Sequence, residues 1–214
     1  MIRKRVAILI SGRGSNMSAL IEAAKAVDYP AEISLVISNR PDAAGLARAQ
    51  AEGILTAVVD HKNYGQDREA FERALQAVLE THRIELVCLA GLMRLLSPWL
   101  VERWHGRMLN IHPALLPAFK GLDTHRRALA AGVKMHGATV HLVAPDVDSG
   151  PIIMQEAVPV VAGDTVDTLA ARVLEVEHRI YPEALKILAL VRDAEKAGPR
   201  AAVDLRTPTS GINK

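Results

Sequence analysis

The sequence predicts an α/β domain built on a mostly parallel sheet. Short β-branched and aliphatic runs alternate with amphipathic segments through the first two-thirds of the chain, which is the pattern of βαβ units. The strands predicted there are Val6–Ile10, Ile33–Ser38, Thr56–Val59, Leu86–Leu89 and Met108–Ile111. Two later extended runs, Ala138–Val143 and Ile152–Val160, flank a turn-rich segment and predict an antiparallel pair at the far side of the sheet.

Helical spacing of apolar residues is clearest in two places. One helix, with Asp67 as its N-cap, is predicted by a periodic set of residues: Phe71, Ala74, Leu75, Val78 and Leu79. A second, long helix is capped by Asp164 or Thr165 and carries another such set: Leu169, Val173, Val176 and Ile180. Pro182 is expected to kink or end it, with a further helical piece at Ala184–Val191.

The composition is that of a soluble globular protein. Of the 214 residues 50% are hydrophobic and 23% are charged, and the net charge is only +2. With two Trp, three Tyr and two Phe, the chain provides neither the basic face nor the stacking platforms that nucleic acids select. No apolar run approaches a membrane span, and the single cysteine, Cys88, lies in an apolar run as an expected buried thiol. We therefore expect a cytoplasmic protein, a monomer or homodimer, that binds neither nucleic acid nor membranes.

Residues 1–197 are expected to form one domain. Residues 198–214 mix Pro, Gly, Ser and Thr with few large apolar residues, which predicts a loosely held, flexible tail.

A glycine-rich turn, Ser11–Asn16, follows the first predicted strand and opens a helix. Backbone N–H groups at such a helix start attract anions, and glycine lets a ligand approach closely. A dinucleotide fingerprint would need glycine where Met17 stands, and no nucleoside triphosphate loop is present. The turn therefore predicts a monophosphate site, with a plain turn capped by Ser15 or Asn16 as the alternative.

Asn110 and His112 lie two residues apart at the end of a predicted central strand, so both side chains face the same side of the sheet. Ligands of open α/β sheets bind beyond the carboxyl ends of the strands. A carboxamide donor and an imidazolium suit a carbonyl oxygen that becomes an oxyanion while an amine attacks. The pair predicts acyl transfer without a covalent nucleophile; the alternative is a structural histidine before Pro113.

The segment Asp146–Pro151 has the composition of an Asx-type turn between two strands. Gly150 and Ala157 stand where a calcium loop needs oxygen ligands, and the chain has no cysteine pair or His-Glu-x-x-His for zinc, so no metal site is predicted. If Asp148 lay near His112, its carboxylate would raise the pKa of the imidazole and keep it protonated.

Together these motifs resemble those of the glycinamide ribonucleotide formyltransferases, in order and spacing, from about Val6 to Pro182. The matching segments are Ser11-Gly-x-Gly-Ser-Asn16, Met93-Arg94, Asn110-Ile-His-Pro-Ala-Leu-Leu-Pro117, Gly121-Leu-x-Thr-His125, His136-Gly-x-Thr-Val-His141, Val147-Asp-x-Gly-Pro151 and Glu177-His-x-Ile-Tyr-Pro182. Each motif alone is weak, but seven in the right order are specific.

The resemblance implies a single-domain, Rossmann-like formyltransferase fold with a mostly parallel seven-stranded sheet and helices on both faces, residues 1–197 being the catalytic domain. It also implies an enzyme of de novo purine biosynthesis that moves the formyl group of its co-substrate, 10-formyltetrahydrofolate, to the amine of glycinamide ribonucleotide without a metal.

Site residues carried over from the resemblance fall into three groups. Catalysis is assigned to Asn110 and His112, which would stabilise the tetrahedral intermediate, and to Asp148, which would hold His112 charged as the proton donor. Glycinamide ribonucleotide would be bound by Gly14, Ser15, Asn16 and Glu177. The folate would be bound by Arg68, Met93, Arg94, Leu95, Leu96 and Asn110. For Arg68 the alternative is an exposed charge at a helix start.

Two positions depart from the family pattern: Arg13, where a small polar residue is common, and Asp123, where a histidine is common. Arg13 could add a phosphate contact, whereas Asp123 puts a direct substrate role at its position in doubt. Among relatives, formyltetrahydrofolate hydrolase is not expected because it carries an extra N-terminal domain, and methionyl-tRNA formyltransferase because it carries a basic C-terminal domain. A non-catalytic phosphosugar-binding module is the alternative from another class.

Overall fold

A computed structural model describes residues 3–196, in which one seven-stranded sheet is flanked by helices. The strands are β1 (Lys4–Ile10), β2 (Ala31–Ser38), β3 (Thr56–Val58), β4 (Leu86–Leu89), β5 (Met108–His112), β6 (Met135–Leu142) and β7 (Ile152–Pro159). The helices are α1 (Ser15–Ala23), α2 (Ala44–Ala51), α3 (Arg68–Thr81), α4 (Pro98–Arg103), α5 (Thr124–Ala130) and α6 (Val166–Lys196), with a 3₁₀ turn at His61–Tyr64. The predicted tail, residues 198–214, lies outside the described residues.

The strand order is β3-β2-β1-β4-β5-β6-β7. Strands β1 to β5 run parallel to one another, whereas β6 runs antiparallel to β5 and β7 runs antiparallel to β6. Both the parallel body and the antiparallel far side agree with the sequence prediction. Because the first five strands are parallel, their carboxyl ends meet at one edge of the sheet, where the loops that follow them can converge on a ligand.

Helices cover both faces of the sheet, as the resemblance implies. Alternate residues of β1 enter two apolar clusters, so that Val6 and Ile8 pack with α1 and α6 while Ala7 and Leu9 pack with α3. Burial on both faces explains why the central strands read as continuous apolar runs. Cys88 belongs to the first cluster, and burial raises the pKa of its thiol to about 12, which confirms the expected buried, inert cysteine.

The helix predicted behind Asp67 is confirmed as α3, and the Asp67 carboxylate accepts the Ala70 N–H at 2.9 Å. Of the two N-caps considered for the long helix, Thr165 directly precedes it and accepts the Thr168 N–H at 3.2 Å. The expectation that the helix ends at Pro182 and a second helical piece follows is wrong, because α6 continues through Pro182.

Burial explains why α6 survives the missing hydrogen bond at Pro182. A proline inside a helix costs about 3 kcal/mol, but each large apolar side chain buried on the sheet returns about 1.5–3 kcal/mol. Ile180, Tyr181 and Leu185, on both sides of the proline, are buried in the core. The Tyr29 hydroxyl also donates to the Pro182 carbonyl at 2.6 Å, which ties the helix to the body of the domain.

Candidate active site

The loops after β1, β2, β3 and β4 form a cleft of about 550 Å³ at the carboxyl edge of the sheet. Its lining combines glycine backbone with polar and cationic side chains: Ser11, Gly12, Arg13, Gly14, Ser15, Asn16, Asn39, Arg40, His61, Ala90, Gly91, Met93 and Arg94. A lining of this kind suits a polar, anionic small molecule.

Gly14 forms the start of α1 and one wall of the cleft. It is the N-cap residue, with a left-handed φ of 73° and no side-chain cap, so the alternative of Ser15 or Asn16 as the cap is wrong. A Cβ at Gly14 would lie 3.0 Å from the Met17 Cε atom and 3.2 Å from the Gly45 Cα atom. Glycine therefore allows both the left-handed backbone and the close packing against Gly45 at the start of α1, where backbone N–H groups without helical partners attract anions.

Asn16 joins the glycine loop to α6. Its Nδ2 atom donates to the Glu177 Oε2 atom at 2.6 Å, and both side chains are buried. Burial raises the pKa of the Glu177 carboxyl, against which the Asn16 hydrogen bond acts in the opposite direction. Because Nδ2 faces the carboxylate, Asn16 Oδ1 faces elsewhere and has no hydrogen-bond partner among residues 3–196. The pair thus fixes the start of α1 to α6 through a buried hydrogen bond.

The three residues predicted for catalysis meet in one cluster. Asn110 pairs with Leu89 in the sheet, next to Ala90 of the cleft lining, and it faces His141 on the antiparallel strand β6. The Asn110 Nδ2 atom lies 3.2 Å from His141 Nε2, which lies 3.7 Å from the Asp148 Oδ1 atom. The second carboxylate oxygen, Asp148 Oδ2, lies 3.3 Å from His112 Nδ1.

Hydrogen-bond chemistry assigns the protons of this cluster. The Leu142 carbonyl can only accept, so His141 Nδ1, 2.9 Å away, carries a proton, and a neutral His141 leaves Nε2 to accept from Asn110. One N–H of the Asn110 amide is used in this way, and the second is left for a ligand. In the same way, the Phe119 carbonyl, 3.0 Å from His112 Nε2, requires a proton on that nitrogen.

Burial decides the sign of the pKa shift at His112. The pKa of its imidazole is lowered, because desolvation outweighs the opposing effects of the Phe119 carbonyl and the Asp148 carboxylate. The prediction that Asp148 lifts the pKa above its ordinary value is therefore wrong in its net sign. Its physical premise is correct, since the carboxylate lies beside the ring and favours the imidazolium.

Asp148 is itself held as a carboxylate. Burial acts to raise its pKa, but the neighbouring His141 ring and the Gly121 N–H, which donates to Oδ2 at 2.8 Å, outweigh it and lower the pKa. Both Asp148 and Phe119, which contact opposite sides of the His112 ring, have left-handed φ values, of 48° and 55°. Such backbone costs on the order of 1–3 kcal/mol per residue and persists where the surroundings define the geometry strongly, as at a functional site.

A second cavity, of about 280 Å³, adjoins the cleft through Met93 and Arg94, which line both. Arg68 and Leu95 line it as well, together with Gly65 and Gln66. Four of the residues expected on the folate side therefore lie together. Leu96 differs, because it lines neither cavity and is half-buried against the apolar cluster on the α3 side of the sheet.

Three groups of the cluster were not predicted from the sequence. His141 belongs to a quoted motif, so its type was visible although its role was not. The Phe119 carbonyl and the Gly121 N–H are backbone groups with no residue-type signal. Their part depends on the path of the 113–123 loop, which the sequence pattern does not reveal.

Within residues 3–196, no three His, Cys, Asp or Glu side chains are arranged to hold a metal ion. None of the helices in this range combines the length and hydrophobicity needed to cross a membrane.

The sequence profile of the family described as formyl transferase matches residues 4–185, so the chain belongs to the formyl transferase family. The matched range contains the glycine loop, the Asn110–His112 strand, Asp148 and Glu177.

Comparison with individual proteins narrows this class. The phosphoribosylglycinamide formyltransferase of Escherichia coli (strain K12) is 46% identical over 177 residues, 83% of each chain. The crystal structure of phosphoribosylglycinamide formyltransferase from Brucella melitensis has a TM-score of 0.83 at 55% identity, covering 87% of this chain and 96% of that one. The trifunctional purine biosynthetic protein adenosine-3 of Gallus gallus is 54% identical over 185 residues, and the match covers 86% of this chain but only 18% of that protein's length. Within the family, the chain groups with the phosphoribosylglycinamide formyltransferases.

A second group of histidines lies behind the cluster. The ring of His136, which is 0% exposed, is 5.2 Å from the His125 ring and 5.8 Å from the Phe119 ring, measured between centroids. Burial, reinforced by His125, lowers the pKa of His136 to about 4. Because the unfolded chain binds a proton at His136 near pH 6.5 and the folded chain does not, acid favours unfolding.

We predict that the free energy of unfolding is highest above pH 6.5 and falls as the pH decreases toward 4. At about 1.4 kcal/mol per pKa unit, His136 contributes on the order of 3 kcal/mol to this loss. Urea unfolding between pH 7.5 and 4.5 should show a smaller loss for His136→Gln than for the unaltered protein. His105→Gln, at an exposed position, is the control. Equal pH slopes for the unaltered protein and His136→Gln would contradict the assignment.

Proposed function

We propose that this protein transfers the formyl group of 10-formyltetrahydrofolate to the amine of glycinamide ribonucleotide, a step of de novo purine biosynthesis. The observation that carries the proposal is the Asn110–His141–Asp148–His112 cluster. Its Asn110 pairs with Leu89, the residue before Ala90, which lines a cleft with an anion-attracting helix start. Family membership and the full-length phosphoribosylglycinamide formyltransferase relatives support the same reaction.

The ribonucleotide fits the glycine-loop end of the cleft. Its phosphate would accept hydrogen bonds from the backbone at Gly14, Ser15 and Asn16, where the α1 dipole favours negative charge. Glu177, beside Asn16, would accept hydrogen bonds from the ribose hydroxyls. This arrangement directs the glycinamide amine away from the helix start and toward Asn110.

The folate fits the second cavity and its junction with the cleft. Met93, Arg94 and Leu95 line that cavity, and their backbone N–H and C=O groups can read the hydrogen-bonding edge of a pterin. With Leu96 packed against the core, its contribution would be through backbone groups. Arg68, exposed at the start of α3, would meet the carboxylates at the other end of the folate.

Formyl transfer then proceeds by direct attack. The amine nitrogen of glycinamide ribonucleotide forms a bond to the formyl carbon, and the carbonyl oxygen becomes an oxyanion. The free N–H of Asn110 donates a hydrogen bond to that oxyanion, and the charge of the His112 imidazolium stabilises it. For the proton transfer that follows, the His112 Nε2–H exchanges its hydrogen bond to the Phe119 carbonyl for one to the substrate. The bond from the formyl carbon to N10 breaks and N10 receives a proton from His112. The proton that the amine nitrogen loses restores the His112 imidazolium, and the products are tetrahydrofolate and formylglycinamide ribonucleotide.

The lowered pKa of His112 in the ligand-free protein is compatible with this role. An oxyanion beside the ring adds a negative neighbour and favours the imidazolium when the proton is needed. Asp148 supplies the constant part of that effect, and the Phe119 carbonyl holds the ring in place.

We predict that the purified full chain, freed of metal and checked by elemental analysis, produces tetrahydrofolate from 10-formyltetrahydrofolate only when glycinamide ribonucleotide is present. Tetrahydrofolate formation is followed by absorbance, and product formylation by mass spectrometry. Release of formate without an acceptor would identify a hydrolase instead, and comparable formylation of methionyl-tRNA would refute the proposed acceptor. Activity that depends on an added divalent ion would refute metal independence.

Replacing Asn110 with alanine should reduce kcat about 10²–10³-fold, because its free N–H acts on charge that exists only in the transition state. The dissociation constants of both substrates should change much less. Steady-state kinetics and equilibrium binding separate the two effects, with the exposed Asn63→Ala as the control. A defect confined to the Michaelis constants would contradict the oxyanion role.

For Asp148→Asn we expect the pKa of His112 to fall further below 6.5, because a negative neighbour of the ring is removed. Turnover should therefore be lost at a lower pH than in the unaltered enzyme as the pH rises. NMR titration of His112 measures the shift directly, and Asp146→Asn, an exposed carboxylate of the same turn, should leave it unchanged. Equal His112 pKa values in Asp148→Asn and the unaltered protein would show that Asp148 only shapes the turn.

A further inference from the structure

Residues 91–97, the segment between β4 and α4, form an irregular stretch whose conformation needs explanation. Met93 and Leu95 are 69% and 60% exposed, so apolar burial does not hold these residues in place. This folate-side segment, residues 91–97, borders both cavities. To bind a ligand selectively, the segment must keep its backbone groups in fixed positions.

One end of the folate-side segment is attached to Ser11, the first residue after β1. The Met93 N–H donates to the Ser11 hydroxyl at 2.8 Å, and the Ser11 N–H donates to the Gly91 carbonyl at 3.1 Å. The Ser11 hydroxyl in turn donates to Asn39 Oδ1 at 2.6 Å. Ser11 and Asn39 are both buried, and the Asn39 Nδ2 atom lies 3.2 Å from His61 Nδ1. The hydroxyl therefore joins the ends of three parallel strands.

The other end is attached to Glu72 of α3. The Ser97 N–H donates to Glu72 Oε1 at 2.6 Å, and the Ser97 hydroxyl donates to Oε2. Glu72 is 0% exposed, and a buried carboxylate is costly unless donors satisfy it. Its two donors come from one residue at the end of the segment, so the carboxylate holds Ser97 strongly.

We propose that Ser11 and Glu72 are positioning residues for the folate co-substrate. The two anchors hold the backbone of the folate-side segment at both ends, which pre-organises its N–H and C=O groups for the ligand. Because Ser11 also begins the glycine loop, it fixes the position of the folate-side segment relative to that loop. The two substrate sites are therefore held at a constant distance from each other. The inference rests on the proposed function for the identity of the ligand, but the anchoring itself is a property of the ligand-free protein.

The chemistry of the reaction remains separate from this role. Asn110 and His112 lie on β5, and Asp148 lies between β6 and β7, so removal of an anchor leaves the proton donor and the oxyanion donor in place. Ser97→Ala, which lies outside both cavities, should therefore weaken folate binding while kcat at saturation stays within about twofold. A loss of one net hydrogen bond corresponds to about 3- to 10-fold in an equilibrium constant.

The experiment compares Ser11→Ala and Ser97→Ala with Ser34→Ala, a control on β2 whose hydroxyl donates to Glu32 Oε1 away from the cleft. Hydrogen exchange of the ligand-free full chain measures local opening at residues 92–97. Anaerobic titration with tetrahydrofolate measures its Kd, and titration with glycinamide ribonucleotide measures the Kd of the acceptor. Because Ser97→Ala keeps the buried Ser11 hydroxyl, it tests the inference even if Ser11→Ala folds poorly.

In Ser11→Ala the Met93 amide should exchange faster, and in Ser97→Ala the amide at position 97 should exchange faster. Both variants should have a Kd for tetrahydrofolate that is raised about 3- to 10-fold. Ser34→Ala should match the unaltered protein in all measurements. Unchanged exchange at residues 92–97, or faster exchange with an unchanged Kd, would overturn the inference. If the unaltered protein fails to bind tetrahydrofolate, the proposed function fails, whereas the exchange measurement still decides whether the anchors exist.

Discussion

The antiparallel pairing of β6 with β5 is the contact on which the candidate active site depends. It places His141 opposite Asn110, and the connection from β6 to β7 then brings Asp148 to His112. The preceding strands are parallel and deliver the glycine loop and the folate-side segment to one edge of the sheet. A sheet of parallel strands alone would provide that edge, but it would lack the antiparallel connection that places the Asp148 carboxylate beside His112.

Burial and local polar contacts oppose each other at His112, Asp148 and Glu177. Desolvation lowers the pKa of His112 and His136 and raises that of Glu177, while hydrogen bonds and neighbouring charges act in the reverse direction at His112 and Glu177. At Asp148 the effects of His141 and of the Gly121 N–H prevail over burial and keep a carboxylate next to His112. The result is an imidazole whose charge is unfavourable in the ligand-free protein and becomes favourable when negative charge develops beside it.

Buried polar contacts hold the ligand-facing segments together with apolar packing, since Leu92 and Leu96 of the folate-side segment also pack against the core. Ser11 and Glu72 hold the two ends of the folate-side segment, and Asn16 ties the glycine loop to Glu177 of α6. These contacts join residues from distant parts of the chain around the apolar clusters on the two faces of the sheet. The core therefore makes these loops rigid indirectly, because the buried side chains that hydrogen-bond to the loops are themselves held in place by the core.

Features set by neighbouring residues were readable in the sequence alone. Period-two and helical patterns predicted the strands and α3, Asp67 was correctly chosen as a cap, and the ordered motifs indicated the formyl transferase family. The tertiary structure alone decided that α6 continues through Pro182, that Phe119 and Gly121 contribute backbone groups, and that the net pKa shift of His112 is downward. The physical reason is that caps and periodicity act within a few residues, whereas burial energy and desolvation depend on which distant segments surround a group.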